Sequence, residues 1–164
     1  MSNSPTFFGK YRGTVANNID PDNIGRVQVC VPAVLGDGKS NWAMPCVPYA
    51  GDKVGFFAIP PIGANLWVEF EGGDPDYPIW SGCYWGSGQV PASAGQPTIK
   101  VLKTDDSTIT LNDQPGAGEI CISSNSGMKI VINSNGIEIN NGAGGSITLS
   151  SNKVTVNEGA LEVM

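Results

Sequence analysis

Apolar and polar positions follow two different patterns along this chain. From residue 109 onward, a unit of the form apolar-x-apolar, usually followed by Asn or Ser, recurs seven times: Ile109 and Leu111, Ile120 and Ile122, Ile130 and Ile132, Ile137 and Ile139, Ile147 and Leu149, Val154 and Val156, Leu161 and Val163. The steps between units are 11, 10, 7, 10, 7 and 7 residues. Each unit predicts a short strand that turns two aliphatic side chains to one face and the intervening Thr, Glu or Cys to the other. Asn-Gly at 135–136 and 141–142 and Ser-Gly at 126–127 supply tight corners, because these residues tolerate positive φ. Such repetition predicts a β-solenoid. With strands that bury two side chains each, one chain would close only about three coils of roughly 20 residues and leave a thin core with open edges. Three chains wound together remove that difficulty, with the lateral strand edges paired to a neighbouring chain. The expected threefold core is Ile109, Leu111, Ile120, Ile122, Ile130, Ile132, Ile137, Ile139, Ile147, Leu149, Val154 and Val156. A disordered stalk would not repeat its paired β-branched residues so regularly.

The first half reads differently. Runs at 7–15, 26–31, 54–59, 66–71 and 79–84 are alternating or β-rich, and turn signals such as Asp20-Pro21-Asp22-Asn23 and Gly72-Gly73-Asp74-Pro75 separate them. About five strands with no helical period predict a small β-barrel of the OB or SH3 kind. All 13 aromatic residues lie between Phe7 and Trp85, where they can fill such a barrel. Residues 87–98 are small, polar and uncharged, the composition of a linker. The expected organisation is therefore all-β, with a barrel over 1–86, a linker over 87–98 and a repetitive region over 99–164. The 22 glycines and 12 prolines agree, since both disfavour long helices.

Composition removes several functions. The chain has no histidine, which excludes His-dependent acid–base chemistry, Ser-His-Asp triads and His-ligated metals. A net charge of −6 and only two arginines, Arg12 and Arg26, argue against nucleic acid or an anionic membrane surface as the main partner. Cys30, Cys46, Cys83 and Cys121 are far apart and form no C-x-x-C pair, so buried free thiols are expected. The N-terminal residues lack the basic leader and apolar run of a signal peptide, and the apolar stretch 54–68 is too short and too broken to span a bilayer.

Three motifs resemble chemistry and lack its parts. The segment 34–40 ends in Gly38-Lys39-Ser40, but Ala33 replaces the first glycine of a phosphate loop and no helix can follow. Asp20-Pro21-Asp22-Asn23-Ile24-Gly25 opens like a calcium loop, yet Ile24 and Val31 occupy ligand positions, so a turn stabilised by Asp20 is expected. Glu69 and Glu71 share a strand face without an opposing wall and read as solvated acids. No catalytic residue, cofactor or metal site is expected. A binding module for glycan or single-stranded nucleic acid, with Trp42, Trp67 or Trp85 as stacking platforms, is the alternative; acidity disfavours its nucleic-acid form, and it leaves the repeat without a purpose.

Taken in order, several segments resemble the central spike of contractile injection machines, the family of phage baseplate assembly protein V. They are Tyr11-Arg-Gly-Thr-Val-Ala-Asn-Asn-Ile-Asp-Pro, Gly25-Arg-Val-Gln-Val, Val31-Pro32, Ser40-Asn-Trp42-Ala-Met-Pro45, Ile59-Pro-Pro-Ile-Gly63 and Val68-Glu-Phe-Glu-Gly-Gly-Asp-Pro-Asp-Tyr-Pro-Ile-Trp80-Ser-Gly82. The resemblance implies an OB-fold collar on a trimeric hub protein, followed by an intertwined homotrimeric β-helical needle that punctures the target envelope and meets the membrane only during passage. It implies assembly in the cytoplasm into a phage tail, tailocin or extracellular injection particle. Some relatives carry a lysozyme domain between collar and needle, where this chain has only the linker; others carry a histidine iron site at the tip, which is impossible here. The abrupt apolar end, Leu161, Val163 and Met164, is then expected to dock a separate PAAR-like tip protein. A start close to the collar favours a particle with a separate hub over a spike fused to one.

Overall fold

A computed structural model describes residues 5–91 and 95–163, with the side chains at 159, 162 and 163 excepted. The chain divides into two compact units between Gly88 and Gln89.

The first unit is a closed five-stranded barrel. Its strands are β1 (Tyr11–Asn17), β2 (Val27–Cys30), β3 (Asn41–Pro45), β6 (Asn65–Phe70) and β7 (Pro78–Cys83), joined in the order β1-β2-β3-β7-β6. A single helical turn, α1 (Pro32–Leu35), and a small hairpin of β4 (Ala50–Gly51) and β5 (Val54–Gly55) lie between them. All barrel pairings are antiparallel except β3 with β7, where Met44 faces Ile79 and Pro45 faces Trp80. The pleat decides what is buried: alternate residues of β2 and β6 point inward, so Val27, Val29, Leu66 and Val68 reach 0% exposure, and Val31 and Ala43 join them. Phe70 and Trp80 complete this core, and the Trp80 indole N–H donates to the carbonyl of Gly25 at 3.1 Å. At Gly13, where β1 crosses the core, the packing is tight: a Cβ there would lie 3.0 Å from the Cys30 carbonyl oxygen and from a Val68 methyl, so its neighbours would have to shift.

One barrel strand differs from expectation. Residues 54–59 pair only at Val54 and Gly55, and Phe56 and Phe57 stand exposed. The place beside β2 and β7 belongs instead to Asn41–Pro45, whose Ala43 is buried in the core while its neighbour Trp42 turns to the opposite face under Arg26. A β-rich run needs a free edge to pair with, and β3 already holds that edge. The four cysteines are free thiols, but Cys46 and Cys83 are exposed and Cys30 and Cys121 half-buried, so the expected burial fails.

In the second unit, β8 (Ile99–Lys103), β9 (Ser107–Asn112), β10 (Glu119–Ser124), β11 (Lys129–Asn133), β12 (Gly136–Asn140), β13 (Ser146–Ser150), β14 (Lys153–Val156) and β15 (Leu161–Val163) form one sheet in strict sequence order, every pair antiparallel. Within the chain the strands meander, each pairing along its length with the next in sequence. The connections dictate it. Residues 134–135 and 151–152 are two-residue links, long enough for a hairpin and far too short for the crossover that parallel strands need. At about 4.8 Å per strand, eight strands span roughly 34 Å. No helix among the described residues is long and apolar enough to cross a membrane.

Candidate functional site: an unpartnered aliphatic face

Register turns the repeat into a surface. Ile109 faces Ile122, Ile122 faces Ile130, Ile130 faces Ile139, Ile139 faces Ile147, and Ile147 faces Val156, which faces Leu161. Beside this column runs a second: Leu111, Ile120, Ile132, Ile137, Leu149 and Val154, the last opposite Val163. All twelve residues expected to form the threefold core therefore share one face of one sheet. Ten of them keep 38–44% of their surface exposed, while Ile137 and Val156 are half-buried. Along the first column the face is hollowed into an open trough of about 600 Å³ lined by Ile122, Ile130, Ile139, Ile147 and Val156, with Met128 at its rim. The other face is polar, with Thr110, Cys121, Glu138, Thr148 and Thr155 in one row and a Lys129–Glu138 ion pair of 3.1 Å across it; Val131 is the buried member of that row.

The Asn that follows so many units has a definite task. Asn112, Asn133 and Asn140 each accept a hydrogen bond on their side-chain oxygen from the backbone N–H two residues on, which starts the turn. Asn157 accepts from the N–H of Ser146 on a neighbouring strand. Gly136 stands where only glycine fits: its φ is 134°, and a Cβ would meet the Leu149 carbonyl oxygen at 1.9 Å.

The expected docking end is described in part. Leu161 is 59% exposed, Val163 is described in its backbone only, and Met164 lies outside the described residues. The strand from Ile99 to Leu102 was expected, but its place in the columns was not: Leu102 extends the first column opposite Ile109, and Lys100 occupies the corresponding place opposite Leu111 and pairs with Asp113. A lysine in the first aliphatic position of that unit hid the pattern.

The motifs on the barrel are structural. Asp20 accepts the backbone N–H groups of Asp22, Ile24 and Arg26 and the guanidinium of Arg26, and these bonds hold its carboxyl far below the usual carboxylate range. Glu69 pairs with Lys10 at 3.0 Å, and that hydrogen bond lowers its pKa. No group of three or more metal-ligating Cys, Asp or Glu side chains occurs among the described residues. Of the three tryptophans considered as stacking platforms, Trp42 is covered by Arg26 at 5.4 Å and Trp67 by Arg12 and Tyr84, leaving Trp85 open at 66% exposure.

The chain combines a closed barrel with an open sheet that carries a continuous aliphatic face. Residues 11–85 match the model of the Type VI secretion system/phage-baseplate injector OB domain, and residues 99–162 match that of the phage baseplate V C-terminal trimerisation domain. The chain belongs to the baseplate V and central spike family. It is 31% identical over 122 residues to the Type VI secretion system spike protein VgrG3 of Vibrio cholerae, covering 67% of this chain and 12% of that protein. It is 34% identical over 99 residues to the spike protein VgrG5 of Pseudomonas aeruginosa, covering 57% and 12%, and 32% identical over 120 residues to the actin cross-linking toxin VgrG1 of V. cholerae, covering 66% and 11%. The chain thus spans only about an eighth of the length of these curated relatives.

Proposed function

We propose that this protein is the central spike of a contractile tail or injection particle, a structural component and not an enzyme. One observation carries the reading: the two aliphatic columns run unbroken across seven strands, on a segment that matches a trimerisation domain. Ile, Leu and Val side chains left about two-fifths exposed each gain about 1 kcal/mol when a partner covers them. Three identical sheets, each turning its columns toward a threefold axis, cover all of them and close a prism whose outer faces carry the Thr, Ser, Asn and charged side chains. Axial load on such a rod is spread over many interstrand hydrogen bonds, each worth about 1 kcal/mol net and broken together.

The barrel is the collar that sits on a trimeric hub protein. The end formed by Leu161, Val163 and Met164 takes a separate PAAR-like tip, and the rod punctures the target envelope when the particle, assembled in the cytoplasm, contracts. Spike proteins among the relatives support this role, and the toxin activity named for one of them is not carried over. Negative-stain images of the purified chain test the reading: headed rods with threefold end views support it, and compact single particles without a rod overturn it.

A further inference from the structure

We propose that Arg12, Trp67 and Tyr84 form a carboxylate-docking hot spot through which the barrel of one copy binds the barrel of the next, a second interface that rests on the trimeric reading above. Arg12 and Trp67 are direct cross-strand partners on β1 and β6, beside the inward-facing Gly13, Leu66 and Val68. Tyr84 follows β7 and is held over β6 by its backbone N–H, which donates to the Asn65 carbonyl at 3.1 Å. The Trp67 and Tyr84 rings are 4.8 Å apart, and the Arg12 guanidinium lies over both, at 5.8 and 5.7 Å.

Two other cations of the barrel are occupied. Arg26 also stacks on a tryptophan, but two carboxylates, Asp20 and Asp22, neutralise it. Lys10, on the same strand region, donates to Glu69 and Ser81. Arg12 is exposed, and among the described residues its guanidinium donates no hydrogen bond and joins no ion pair. Its planar donor fork is oriented in advance by two rings, which lowers the entropy cost of a bidentate carboxylate contact. Trp, Tyr and Arg are also the residue types that dominate interface hot spots.

A second copy is the occupant the observations favour. On another copy of the barrel Asp37, Asp52, Glu71, Asp74 and Asp76 are exposed and join no ion pair among the described residues, so each can supply the carboxylate. The trimerisation-domain match begins at residue 99, so three barrels are tethered close to it at an effective concentration on the order of millimolar. A head-to-tail contact of Arg12 with a carboxylate elsewhere on the next barrel closes into a ring at three copies.

Arg12→Lys in the full-length chain places a reactive amine at this spot. Trimers refolded from mixed 15N-labelled and unlabelled Arg12→Lys chains are treated with a carbodiimide, which joins an amine to a touching carboxylate, and the linked peptides are read by mass spectrometry. The expected result is an amide from position 12 to a barrel Asp or Glu of the other isotopic form. Trimers in which position 12 stays uncoupled, or couples only within its own copy, overturn this proposal and leave the trimeric spike standing. An unaltered chain that is not trimeric overturns both.

Discussion

The barrel and the sheet are built from the same strand chemistry, yet they solve the burial problem in opposite ways. In the barrel, closure lets five strands bury Val27, Val29, Val31, Leu66 and Val68 completely within one chain. In the sheet, eight strands leave Ile120, Ile122, Ile132 and Ile139 more than 40% exposed, because a single open layer has no second layer to pack on. A short strand is stable alone only when its sheet curves back on itself; otherwise its apolar face commits the chain to a partner. The two units should therefore respond differently to the same kind of damage.

The largest effect is expected from Ile132→Asp. A carboxylate in the middle of an aliphatic column has no partner in a dry threefold core, so trimers should be lost outright. Light scattering should then report about 17 kDa, while tryptophan fluorescence stays native, since Trp42, Trp67, Trp80 and Trp85 all lie in the first unit. Leu66→Ala is the mirror experiment. It should cost the barrel about 2–5 kcal/mol, read from tryptophan-monitored urea unfolding, with the mass unchanged. Gly136→Ala forces a side chain against the Leu149 carbonyl and should destabilise the sheet by about 1–3 kcal/mol, seen as a lower far-ultraviolet melting transition with the tryptophan transition in place.

The repeat made the sheet far more legible than the barrel. Paired Ile, Leu and Val with a following Asn define both the strand and its turn, so the strand positions and the shared face could be read directly from residues 109–163. The hairpin topology was not read, although the seven-residue steps contained it: a two-residue link such as 134–135 admits an antiparallel return and nothing else. In the barrel, Asn41–Pro45 escaped because Asn, Ala, Met and Pro carry little β propensity; its pairing is set by β2 and β7, which are distant in sequence. Residues 54–59 erred the other way, having the composition of a strand with no edge to join. The stacked Arg12, Trp67 and Tyr84 come together only through β1–β6 and β6–β7 pairing, so no local pattern announces them.

A smaller effect concerns pH. The folded pKa of Asp20 lies below its unfolded value near 4, so its bonds stabilise the barrel above that value and their contribution fades as pH drops toward the folded pKa. Asp20→Asn should lower the barrel transition at neutral pH and flatten its decline in acid, whereas the sheet transition should keep its own acid dependence.

The mass of the unaltered chain in solution decides between a self-sufficient sheet and one completed by its copies. Light scattering at micromolar concentration should give about 51 kDa, three times 17.1 kDa, and hold that value on dilution. A stable mass of 17.1 kDa would contradict the account, because the aliphatic columns would then be exposed to water in the functional protein.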